Sequence, residues 1–213
     1  VSDTGDAKPK STIRLLLESG RTDPRVMAKL GLLEELQAAH ARNDQVKMLE
    51  IGQKLAANER ETQQAQGARR ANMRKAVSQA KRVADADERT QKLLAAFAFC
   101  VKEACAADEE MRDIPTYNYG VKRLGEISDE LEALGRFDAL AQFLDSPDIE
   151  VRGFAAVWLR NLWPDRILPI LQEIEKTESF GTPAGTQVYI AMRELEQAKE
   201  RASEGQQEPD AKP

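Results

Sequence analysis

The chain has 213 residues, of which 31% are charged, 41% apolar and only 5% aromatic, with a formal net charge of −5. That length allows one large domain or two small ones, and an aromatic-poor core of Leu, Ala, Val and Ile suits helix pairs or coiled coils rather than a β-sandwich. The acidic balance excludes a surface that is basic throughout, so any contact with nucleic acid has to be local.

Residues 1–10 are polar and charged and read as a disordered tail. The apolar run that follows, Ile13, Leu15, Leu16 and Leu17, is too short to span a membrane and lacks a secretory core and cleavage site, which points to the cytoplasm. Asp23 and Pro24 carry the N-cap and first-turn signature of a helix. Val26, Leu30, Leu33 and Leu36 then mark one helical face running to about Ala41. Asn43 and Asp44 break that helix, and Val46, Met48, Ile51 and Leu55 begin a second. So short a turn predicts an antiparallel hairpin. His40, the only histidine, closes the first helix, where a cation complements the dipole. With no second histidine or placed nucleophile it forms no catalytic triad.

Residues 56–91 are rich in Ala, Gln, Arg, Lys and Glu and form either a long exposed helix or a spacer between domains, with Gly67 a candidate interruption. Met73, Val77, Ala80 and Ala84 follow the 3-4 spacing of a narrow coiled-coil seam, which predicts a homodimer through residues 73–84. The same stretch has no acid over residues 66–83 but carries Arg69, Arg70, Arg74, Lys75, Lys81 and Arg82. Arg70, Arg74 and Lys81 share one side of a helix and are spaced to follow a phosphate backbone. Aromatics that would stack on bases are missing, and pairing with acids of this chain or of a second copy is the competing reading.

Leu94, Phe97, Val101 and Ala104 make a buried stripe on a helix ending near Ala107. Cys100 and Cys105 point about 140° apart on that helix, a poor geometry for a disulfide, and read as buried thiols of a reducing compartment. Residues 113–120 read as a loop. The next helix has Leu124, Ile127, Leu131 and Leu134 on one side and Gly135 as a left-handed stop. The carboxylates Asp108, Glu109 and Glu110, and those of residues 126–132, fall on positions that do not converge; they read as solvated faces, with no metal site. The scattered glycines include no phosphate loop, so no nucleotide cofactor is expected.

From Arg136 the rhythm becomes short helix, turn, longer helix. Residues 137–144 form the short helix, and Ser146, Pro147 and Asp148 the turn. Val151, Phe154, Ala155, Trp158, Leu159 and Leu162 then lie at the offsets of one wide buried face. Pro164 stops this helix and Asp165 caps the next, whose face is Ile167, Leu168, Leu171 and Ile174. A turn at residues 181–185 leads to a last helix with Val188, Ala191, Met192 and Leu195. No segment alternates as a strand does, so the chain is read as all-α. Trp158 belongs to the core, and Trp163, beside Pro164 at a helix end, is a candidate partner anchor.

Residues 146–156, reading Ser-Pro-Asp-Ile-Glu-Val-Arg-Gly-Phe-Ala-Ala, resemble the centre of a HEAT repeat. Asp148 opens the second helix, Val151 enters the core, and Arg152 lies outward to pair with an acid of the neighbouring repeat. Over about residues 93–196 the chain resembles a bacterial HEAT-like family, the domain-of-unknown-function family numbered two thousand and nineteen. The residues that carry the likeness are Tyr117, Asn118, Glu130, Leu131, Gly135, Asp138, Leu140, Leu144, Ser146, Pro147, Val151, Arg152, Ala155 and Ala156. Pro164, Arg166, Leu171, Ile174, Ala184 and Gly185 complete it. The resemblance implies a fold of paired helices and no established activity.

The expected organisation is therefore a tail (1–10), a helical hairpin with a coiled-coil-like charged helix (11–92), a compact HEAT-like bundle (93–197) and a second tail (198–213). Helical repeats bind through the surface of successive helices. The leading functional expectation is a non-enzymatic protein-binding or adaptor module, of regulatory or immunity type, using Arg152, Trp163 and Arg166. The alternative is a DNA-associated protein contacting phosphates through the basic helix 69–82. No catalytic residue, metal or cofactor is expected.

Overall fold

The computed structural model describes residues 24–111, 113–177 and 183–204. Among them every regular element is helical: α1 (Pro24–Ala41), α2 (Gln45–Lys81), α3 (Ala86–Met111), α4 (Ile114–Ala133), a 3-10 segment (Phe137–Phe143), α5 (Ile149–Leu159), α6 (Pro164–Thr177) and α7 (Pro183–Glu204). The all-α fold expected from the sequence is the observed one. The tail at 1–10, the apolar run at 13–17 and the Asp23 cap lie outside the described residues. Helix α7 continues to Glu204, past the expected start of the C-terminal tail at 198, and residues 205–213 lie outside the described residues.

Helices α1 and α2 form the expected hairpin. Asn43 takes the left-handed conformation at φ 55°, and the Asp44 carboxylate accepts the Lys47 amide at 2.9 Å to start α2. The two helices are tied across the seam by Asn58, which donates to the Arg25 carbonyl, and by Lys29 on Glu59 at 2.8 Å. Helix α2 then continues without interruption through Gly67 for 37 residues, about 55 Å at 1.5 Å per residue. Its first part pairs with α1. Its last part, from Met73, enters a different core.

That second core runs from Met73 to Leu195. Val77 and Ala80 of α2, Leu93, Phe97, Cys100 and Val101 of α3, Leu124, Ile127 and Leu131 of α4, and the apolar faces of α5, α6 and α7 form one cluster. Two expectations are corrected by it. Met73, Val77 and Ala80 are buried against α3 and α4 of their own chain, so the 73–84 seam is not available for a homodimer. The boundary at residue 92 also moves, because the end of α2 belongs to the C-terminal body.

Local chemistry explains the remaining differences. Residues 113–120 are not a loop: Asp113 caps α4 by accepting the Thr116 amide, and Pro115 sits in the first turn, where its missing N–H costs nothing. Gly120 therefore lies inside a helix, at its closest approach to α3; a Cβ there would stand 2.5 Å from the Ala104 Cβ. Gly135 adopts φ 63° and ends α4 as expected, with the Arg136 amide returning to the Leu131 carbonyl. Pro164 opens α6 a short turn after α5 ends at Leu159, and Pro183 opens α7 where the sequence placed a turn. Asp165 is consequently in the first turn of α6, not its cap, and Ala184 and Gly185 start α7 instead of forming a turn.

Candidate protein-binding surface

The turn between α5 and α6 is built by its own sequence. Trp163 precedes a proline, which disfavours helical backbone at that residue, and α5 ends at Leu159. The Leu162 and Trp163 amides return to the Leu159 carbonyl at 3.0 and 3.1 Å, closing the turn. Leu162, expected on the buried face, is carried out of the helix and left 48% exposed. Trp163 stays half-buried against the core.

Arg166, in the first turn of α6, places its guanidinium 5.4 Å from the Trp163 ring centre, a cation–π pair. Leu162, Trp163, Pro164, Asp165 and Arg166 line a shallow cleft of about 360 Å³. The cleft thus offers an aromatic wall, an exposed leucine, a guanidinium and a carboxylate within one turn of chain. It can hold an apolar side chain and pair with a flanking charge, but encloses no reacting centre.

The third predicted residue stands apart. Arg152 lies near the opposite end of α5, about 10 Å along the axis from the helix end at Leu159. It pairs with Glu173 of α6 at 3.5 Å, and its Nε is buried without a hydrogen-bond partner. Next to it Asp148 accepts the Val151 amide at 3.2 Å and meets Lys102 of α3 at 2.9 Å. Burial acts to raise the Asp148 pKa, but the Lys102 and Val151 hydrogen bonds outweigh it and hold the carboxyl below its ordinary value. Arg152 and Asp148 thus join α5 to its neighbours. The structure brings Trp163 and Arg166 together, and leaves Arg152 out of their patch.

The basic face of α2 is divided in a similar way. Arg69 pairs with Glu103 of α3 at 3.8 Å and Lys81 with Glu130 of α4 at 3.0 Å. Arg70 is half-buried, while Arg74, Lys75 and Arg82 are exposed. The acidic face of α4 is not simply solvated either, since Glu126 pairs with Arg123 at 2.7 Å and Glu130 takes Lys81. Neither cysteine is in a disulfide and both are buried, and burial pushes the Cys100 thiol up to about 12, the behaviour of an inert core thiol. Among the described residues no group of His, Cys, Asp and Glu is arranged to hold a metal ion, and no helix is long and apolar enough to cross a membrane.

Leu162 is the surface residue that the sequence reading missed. Its signal was present in Pro164, which moves the helix end back before Leu162 and so releases it from the periodic face. Compared with known proteins, the chain matches no family model, no curated protein and no solved structure.

Proposed function

We propose that this chain is a non-enzymatic protein-binding module that engages its partner through the α5–α6 turn. The observation that carries this reading is the exposed Leu162 beside Trp163, with Arg166 over the ring, on a turn anchored in the main core. Trp and Arg are the residues most often found to dominate binding energy at interfaces, provided they sit in a desolvated pocket. An exposed leucine at the same spot supplies the apolar surface that a partner would bury. The complementary segment is one with an apolar side chain for the Leu162–Trp163 wall and a carboxylate for Arg166.

The test uses the full chain immobilised against its cellular source, with partners then purified and titrated. Leu162→Ser and Arg166→Ala should each weaken a bound partner by at least tenfold while leaving the thermal midpoint unchanged. A partner retained equally by both variants would remove the proposal. The nucleic-acid reading has a narrower base, the exposed Arg74, Lys75 and Arg82. A gel shift that weakens with salt and is lost in the triple alanine variant of these residues would put that reading first.

A further inference from the structure

Helix α2 buries one face along its length and leaves its back bare. Ile51 is buried alongside α1, and Met73, Val77 and Ala80 are buried against α3 and α4. On the opposite side, steps of three, eight and eleven residues carry one row from Val46 and Leu49 through Arg60 and Ala71 to Arg74 and Arg82. All six are exposed, Val46 to 81% and Leu49 to 68%, and so is Lys75 beside them. From Leu49 to Arg82 the row runs about 50 Å.

This back is basic and free of acid. Among the described residues, Arg60, Arg74, Lys75 and Arg82 make no ion pair, unlike Arg69 and Lys81, which take Glu103 and Glu130. The three acids of α2 all lie off the row. Glu50 takes Lys47 and Lys54, Glu59 takes Lys29 of α1, and Glu61 lines the cleft against α1. An exposed ion pair is worth little alone, so a lasting contact needs the four cations together and the apolar end at Val46 and Leu49 as well.

That combination suits a helix better than a nucleic-acid duplex. Past Met73 the flanks of α2 are taken by α3 and α4, which makes the body too wide for a major groove of about 12 Å that admits a single helix. Val46 and Leu49 have no counterpart in a phosphate backbone. A helix laid along the row meets both the apolar end and the charges, and at Gly67 an added Cβ would find nothing within 4 Å, so its backbone can come close. Two copies of this chain paired through the row would add like charge to like charge.

We propose that the back of α2 docks an acidic amphipathic helix of a partner protein. Apolar side chains of that helix cover Val46 and Leu49, and its carboxylates lie along Arg60, Arg74, Lys75 and Arg82. The surface lies on a different helix from the α5–α6 turn and does not rest on it.

The test titrates the full chain against a labelled synthetic helix of about 35 residues, long enough for the row. One face carries leucines at one end and glutamates along the rest, and the peptide is made with the leucines at either end to cover both directions. Arg74→Glu with Arg82→Glu should weaken the better peptide at least tenfold, and Val46→Ser with Leu49→Ser at least threefold, with thermal midpoints unchanged. Lys176→Glu with Arg201→Glu, an exposed pair on α6 and α7, should change binding less than twofold. The inference is overturned by peptides that fail to bind, by equal losses in the two charge-reversed pairs, or by indifference to Val46→Ser with Leu49→Ser. A labelled DNA duplex bound more tightly than the peptide also overturns it and assigns the face to nucleic acid.

Discussion

Helix α2 passes from one packing regime into another without a break. Alongside α1 it buries Ile51, and α1 in turn buries Ala39, with Leu33, Val46 and Leu49 left exposed, Val46 to 81%. Beyond Met73 the same helix is enclosed by α3 and α4, in a cluster that also takes in α5, α6 and α7. The two regions do not differ in helical character. They differ in how many neighbours cover each apolar face, and most helical stability in proteins comes from that cover rather than from intrinsic propensity. The hairpin is therefore expected to open locally at lower cost than the body.

Phe97→Ala should separate the two regions most strongly. Phe97 is fully buried and stacks on Phe143 with ring centres 5.7 Å apart, so its truncation costs about 3–5 kcal/mol of body stability. Both tryptophans, Trp158 and Trp163, pack against the body core, so tryptophan fluorescence during urea unfolding reads that region alone. A lowered fluorescence midpoint, with amide exchange in α1 unchanged, is the expected pair of results. Faster exchange in α1 by the same factor would mean that hairpin and body unfold as one unit.

Glycine-to-alanine substitutions should give opposite signs in the two regions. At Gly120 the new Cβ meets the Ala104 Cβ at 2.5 Å and the Ala104 Cα and Met73 Sδ at 3.4 Å. Backbones of α3 and α4 must move apart, and overpacking of this kind costs about 1–3 kcal/mol. At Gly52 nothing lies within 4 Å of the added methyl, so the gain in helix propensity remains, about 0.5–1 kcal/mol. The checks are the fluorescence midpoint for Gly120→Ala and amide exchange in α1 and α2 for Gly52→Ala. A destabilising Gly120→Ala with a stabilising Gly52→Ala sharpens the contrast; equal signs break it.

The same contrast sets what was legible in the sequence. Helix faces and stops were readable, because Asp44, Asp148 and Gly135 act through backbone groups close to them in the chain. The fate of the Met73, Val77 and Ala80 stripe was not. A narrow apolar seam has the same spacing whether a second copy or a helix of the same chain covers it, and only the tertiary arrangement decides. The basic run behaved alike: spacing placed its charges on α2, but the acids that engage Arg69 and Lys81 come from Glu103 and Glu130, distant in sequence. Within the candidate surface, Trp163 and Arg166 were legible as neighbours one helical turn apart. Leu162 was obscured because periodicity was extended past the end of α5.

The joint between α3 and α5 exists only in the body. Asp148 caps α5 and pairs with Lys102 of α3, and its carboxyl is held below the ordinary pKa. A depressed carboxyl stabilises the fold above its unfolded pKa, and that contribution is lost as pH falls through the lower folded value. At neutral pH, Asp148→Ala should therefore cost about 1 kcal/mol, the usual size of an N-cap loss. Below pH of about 4, the ordinary carboxyl range, the gap between wild type and variant should narrow as the wild-type carboxylate takes up its proton. Asp148→Asn keeps a capping oxygen without the charge, so its stability should follow pH less steeply than that of the wild type. Urea midpoints read by fluorescence at pH 7 and pH 3 check the sign. A gap that stays constant across that interval would assign the joint to packing alone, and a parallel change in α1 exchange would erase the distinction between hairpin and body.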